Sequence, residues 1–148
     1  MELAEIPKLH RLHEQLMDYW YRVANGRAMP LESDINPDDL LGIWQNCFLV
    51  RVGDGNFAYD YLGDALVEAY GENLTSREIC ESLIYPHPEP LFRTFQEVTV
   101  SAQPVYVDDA FTNKNGLLIK YRSCVLPLAK AGEQGVAFLL GGMRWKAE

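Results

Sequence analysis

The order of strand-like and helix-like runs constrains this chain more than any other feature. Cys47 to Val52 and Phe57 to Leu62 flank Gly53-Asp54-Gly55-Asn56, the chemistry of a tight hairpin. Val105 to Thr112, Leu117 to Leu128 and Val136 to Trp145 are joined by Asn113-Lys114-Asn115-Gly116 and Ala131-Gly132-Glu133-Gln134-Gly135, which read as hairpin loops. Strands joined by short turns pair antiparallel, so both groups belong in one sheet and the stretch between them must cross over its face. The expectation is an α+β fold: five antiparallel strands with a helical crossover on one face.

The crossover changes period. Asp64 is placed to cap a short helix through Leu66, Val67 and Tyr70 that Gly71 ends, and Thr75-Ser76-Arg77-Glu78 reads as a capping box opening a second. Beyond the prolines at 86, 88 and 90, Leu91, Phe92, Phe95, Val98 and Thr99 mark a longer amphipathic helix that stops before Pro104. Ahead of the strands, Leu9, Leu12, Leu16, Tyr19, Trp20 and Val23 recur every three or four residues between Pro7 and Ala24, forming the apolar stripe of a helix closed by Asn25-Gly26. That stripe needs the free sheet face, a partner copy, or both to cover it; Leu9, Leu12, Leu16 and Trp20 are the candidate dimer or partner contacts. Asn36-Pro37-Asp38-Asp39 then opens another short helix. The organisation expected is a helix and connector over 1–35 and the sheet domain over 36–148, one structural unit overall.

At 148 residues the chain has room for one core. Its net charge is −8 and no run gathers Lys and Arg, which speaks against nucleic acid as a partner. Cys47, Cys80 and Cys124 are odd in number, far apart and set among apolar neighbours, the pattern of reduced thiols rather than a secreted disulfide scaffold. Met1-Glu2-Leu3-Ala4-Glu5-Ile6 lacks the basic-then-apolar order of a signal peptide, and no segment has the length of a membrane span. A cytoplasmic protein without a membrane partner is the expectation.

Specific residues sharpen the fold. Tyr19-Trp20, Gly26-Arg27 with Met29-Pro30, Ser33-Asp34-Ile35-Asn36-Pro37, Phe48-Leu49, Phe57-Ala58-Tyr59 running to Leu62-Gly63, Leu74-Thr75, Gln103-Pro104, Tyr121-Arg122, Leu126-Pro127-Leu128 and Leu140-Gly141-Gly142 span nearly the whole chain. In this order the set resembles the bacterial stand-alone PAS family, long catalogued as a domain of unknown function. The resemblance implies a PAS fold acting through contacts with itself or with signalling proteins; it supplies no ligand, cofactor or catalytic residue.

Tyr59, Tyr61 and Tyr70, Phe92 and Phe95 on the longer helix, and Tyr106 and Tyr121 on later strands are the candidate lining of an interior between helices and sheet. Strict alternation puts Phe57, Tyr59 and Tyr61 on one face. Rings with buried hydroxyls suit a flat or apolar guest, and the same rings also suffice to fill a core without a cavity; both readings stand. Arg122 is the candidate cation for a ligand carboxylate, and Arg27 the second basic residue of the family pattern, with ion pairing to Asp34 or Asp60 as the structural use. His10 and His13 share a helix face without a third metal ligand nearby, and His87 stands between two prolines in a loop. No metal site is expected, and the cofactor is left open.

Two functions compete. The first is a non-catalytic sensory or protein-interaction PAS module, homodimeric, whose message leaves through the first helix and the outer sheet face. The alternative is a small cone-shaped α+β enzyme of isomerase or dehydratase type, using Asp108 or Asp109 as general base. Adjacent strand residues point to opposite faces, so the two aspartates do not form a close pair.

Overall fold

A computed structural model describes residues 11–80 and 88–148. The elements are α1 (Leu12–Ala24), 3-10 turns at Glu32–Asp34, Pro37–Leu40 and Trp44–Asn46, β1 (Cys47–Val52), β2 (Asn56–Leu62), α2 (Asp64–Tyr70), β3 (Glu78–Cys80), α3 (Glu89–Ser101), β4 (Val105–Thr112), β5 (Leu118–Leu128) and β6 (Phe138–Ala147). The sheet runs β3-β2-β1-β6-β5-β4, every pairing antiparallel. The five expected strands are present, and β3 adds a sixth at the edge.

That sixth strand corrects the expected capping box. Asn73, not Thr75, supplies the local side-chain bond, accepting from the Thr75 amide at 2.9 Å. Ser76 then turns to φ 67° and its amide donates to the Tyr59 carbonyl at 3.0 Å, which delivers Glu78 and Cys80 into register with Ala58 and Asn56. Tertiary pairing overrides the local helix signal here. Asp64 is likewise not a cap: Gly63 holds the cap position and Asp64 begins the helix. The other termini follow the sequence. Asn25 and Gly71 close their helices in the left-handed region at φ 50° and 84°, and Asn36 caps its 3-10 turn through Asp38.

The sheet separates two apolar layers. On the inner face α2 and α3 lie over Phe48, Val50, Tyr59, Tyr121, Val125 and Leu139. On the outer face α1 buries Leu12, Leu16, Tyr19 and Trp20 against Cys47, Cys124, Leu126 and Leu140. The Trp20 indole donates to the Pro127 carbonyl at 2.8 Å, and the Tyr19 hydroxyl donates to Asp39 at 3.1 Å while accepting from the Asn36 amide at 3.0 Å. The first bond fixes α1 to its own sheet and the other two fix it to the connector that follows it. Leu12, Leu16 and Trp20, expected at a dimer contact, therefore cover their own domain; Leu9 lies outside the described residues.

Candidate functional site

The inner layer is a continuous aromatic field. Phe57 meets Phe92 at 5.7 Å and Phe95 at 5.5 Å between ring centroids, Phe48 meets Tyr59 at 5.8 Å, and Tyr70, Phe111 and Tyr121 follow one another at 5.7 Å each. Tilted and edge-on contacts of this kind stabilise a core beyond its area burial. Of the eight candidates, five converge here: Tyr59, Tyr70, Phe92, Phe95 and Tyr121.

The other three do not. β2 carries a bulge: Leu49 pairs with Tyr61 but Val50 pairs with Tyr59, so Asp60 is the extra residue. One inserted residue reverses the alternation beyond it. Tyr61 consequently leaves the face of Phe57 and Tyr59 and joins the outer layer, and Leu62 takes the inward position. Tyr106 is on the outer face of β4, 41% exposed, against the His13 ring at 4.5 Å. Arg122 is on the outer face of β5, its guanidinium 3.5 Å from Asp108. Phe48, Phe57, Phe111 and Trp145 are inner rings that the candidate set lacks; the alternation of Phe111 with Val105 and Val107 was the signal for Phe111.

Polar atoms are few in this layer, and they are specific. The hydroxyls of Tyr59 and Tyr70 are 3.2 Å apart and buried. Burial first of all, then the proximity of Tyr70 and Tyr121, holds Tyr59 well above the usual phenol range; burial raises Tyr70 and Tyr121 in the same direction. Tyr121 Oη and Ser123 Oγ, two residues apart on the inward side of β5, are buried with no hydrogen-bond partner among the described residues. A buried hydroxyl left unpaired costs about 1–3 kcal/mol, so two neighbouring ones call for a partner that the described residues do not supply.

The outer face holds different chemistry. Asp108 and Asp109 are both exposed, Asp108 on this face beside Arg122 and Asp109 on the other side of β4 across from Tyr121, so neither carboxylate is buried in the interior. Arg27 pairs with Asp34 at 2.8 Å, the structural use foreseen for it, whereas Asp60 pairs with Arg51 at 2.8 Å. The backbone amide of Leu31 and then the Arg27 guanidinium hold the Asp34 carboxyl below its ordinary range. Burial lowers His13, with Glu14 opposing and Arg11 and Arg122 adding to the effect. Among the described residues no three His, Cys, Asp or Glu side chains cluster as metal ligands; His10 and His87 lie outside them.

A sheet entered by two strands before its helical crossover, with a ring-lined interior on one face and a docked amino-terminal helix on the other, defines a PAS-type sensory or interaction domain. The chain belongs to the PAS domain family, whose sequence pattern matches residues 8–143. No curated protein matches the chain in sequence. Solved structures similar to it include a light-oxygen-voltage domain examined with a flavin analogue, at 18% identity and TM-score 0.57 over 75% of this chain and 84% of that one. The dark structure of the Aureochrome1 blue-light photoreceptor domain is similar at 13% identity and TM-score 0.56, covering 75% and 82%. A variant of the fungal photoreceptor VVD is similar at 14% identity and TM-score 0.55, covering 92% and 97%. These likenesses concern the fold. The cone-shaped enzyme required its first helices ahead of nearly all the strands; β1 and β2 precede the crossover here, which sets that alternative aside.

Proposed function

We propose that this PAS domain admits a small, largely apolar guest with at least one hydrogen-bonding atom between α3 and the inner sheet face. The guest's presence is passed to a second copy or a signalling partner through α1, with residues 1–35 and 36–148 working as one unit in the cytoplasm. The observation that carries the reading is the pair of unpartnered hydroxyls, Tyr121 Oη and Ser123 Oγ, in the layer that also holds the Tyr59 and Tyr70 hydroxyls. Rings supply apolar contact area, and convergent hydroxyls orient what enters. Outward, α1 presents Glu14, Met17, Asp18 and Tyr21 around a shallow groove, with Tyr21 58% exposed; this face, not the buried stripe, is the one open to a partner. No helix among the described residues is long and apolar enough to cross a membrane.

Native mass spectrometry of freshly purified chain tests both parts. The expected result is a retained small mass that Tyr121→Phe and Ser123→Ala each weaken, together with a dimer that Tyr21→Ala weakens. A retained flavin, the group named for one of the similar structures, would be identified by its visible absorbance. A bare chain mass under gentle conditions, unchanged by either hydroxyl substitution, would leave the domain as an interaction module without a guest.

A further inference from the structure

The outer sheet face is charged beyond the end of α1. Cross-strand pairing sets Lys120 opposite Lys146 and Arg122 opposite Arg144, so four cations that are far apart in the chain meet around one open groove of about 400 Å³ with Asp108 at its rim. Like charges placed directly opposite destabilise a sheet. Local acids offset this only in part: Arg122 reaches Asp108 at 3.5 Å, and Glu148 is shared between Lys120 at 3.3 Å and Lys146 at 3.7 Å. Arg144 has no carboxylate partner among the described residues. The excess of positive charge is local, because the chain as a whole carries −8.

We infer that this face docks a short acidic segment of a partner protein, whose carboxylates bridge the Arg122 and Arg144 guanidinium groups and the flanking lysines. Two observations and one physical argument select that occupant. The groove is broad and its cations are well hydrated, with Arg122 48%, Lys120 50% and Lys146 73% exposed; a lone small anion there stays in water and gains little. A peptide laid over the face excludes that water and presents several carboxylates at once to two forked donors. The patch also spans only two strands, about 5 Å apart, and is bordered by Asp108 and Glu148, so it matches a few charges and not the long backbone track of a nucleic acid.

The test is fluorescence anisotropy on the full chain with a short labelled peptide of Asp, Glu and Gly, its Asn and Gln counterpart, and a single-stranded DNA of equal charge. The acidic peptide is expected to bind in low salt and to lose affinity as salt rises. The double variant Arg122→Gln/Arg144→Gln is expected to weaken it by about tenfold or more, while its melting temperature stays equal or rises because a like-charge pair is gone. Absent binding, equal binding of the amide peptide, or equal binding of the DNA overturns the proposal. So does light scattering that finds a dimer abolished by the double variant, which assigns the face to a second copy instead.

Discussion

Tyr61 lies flat on Trp44, ring centroids 4.4 Å apart and planes inclined by 9°, and its hydroxyl donates to the Trp44 carbonyl at 2.9 Å, while Tyr59, two residues earlier, is sealed in the opposite core. The extra residue at Asp60 is what divides them. Deleting Asp60 removes the bulge and sets Tyr61 directly after Tyr59, so regular alternation still turns Tyr61 outward onto Trp44 and Leu62 into the core. The expected loss is about 1–2 kcal/mol, that of the lost bend in β2 and the Arg51 ion pair, well short of the roughly 3 kcal/mol or more of emptying a buried leucine site. Asp60→Ala keeps the bulge and removes only the exposed ion pair with Arg51, so it should cost under about 1 kcal/mol. Denaturant titration of the two variants separates the bulge from the charge it carries.

The same bulge marks the limit of what was legible in the sequence. Turn chemistry, helix stripes and alternation are local, and they were enough for the strand order, the α1 stripe and the inward placement of Tyr59, Phe92, Phe95 and Tyr121. A bulge depends on how β1 and β2 pair, and no residue between Phe57 and Leu62 announces it. The strand at Glu78–Cys80 was hidden by a capping pattern that the edge of β2 outcompetes. The cationic face was hidden for a related reason: Lys120 and Lys146 become neighbours only once β5 and β6 are in register.

Gly141 should not tolerate a side chain. A Cβ there would run into the ring of Phe48 on the neighbouring strand, and Phe48 is fully buried among other rings. Gly141→Ala is therefore expected to cost about 1–3 kcal/mol through overpacking. Phe48→Leu should recover part of that loss when combined with it, although it destabilises on its own. A double-mutant cycle read by thermal melting gives the coupling; strict additivity would show that the two positions do not share the space.

The thiols should react unequally. Cys47 and Cys124 are fully buried, and burial pushes each from 9.0 to about 12, whereas Cys80 is partly exposed. Alkylation near neutral pH followed by mass analysis should label Cys80 at most, with the other two added only on unfolding. The pH dependence has a definite sign. A group whose pKa rises on folding stabilises the fold fully below its unfolded value and loses that contribution as pH climbs toward the folded one. Stability should therefore fall between about pH 9 and 12, and Cys47→Ala with Cys124→Ala should flatten that slope while lowering stability at neutral pH through the space each leaves.

Tyr121→Phe separates an empty interior from an occupied one. In a chain stripped of any guest, the substitution removes an unpartnered buried hydroxyl and keeps the ring packed against Phe111, so the melting temperature should rise by a few degrees, in keeping with about 1 kcal/mol regained. In chain that retains its guest, the hydroxyl is in use, and the same substitution should lower the melting temperature by removing both the bond and the stabilisation that binding confers. Ser123→Ala should follow the same pattern at smaller amplitude. Opposite signs in the two preparations are the expected result; a rise of equal size in both would place these hydroxyls in a packed core that nothing enters.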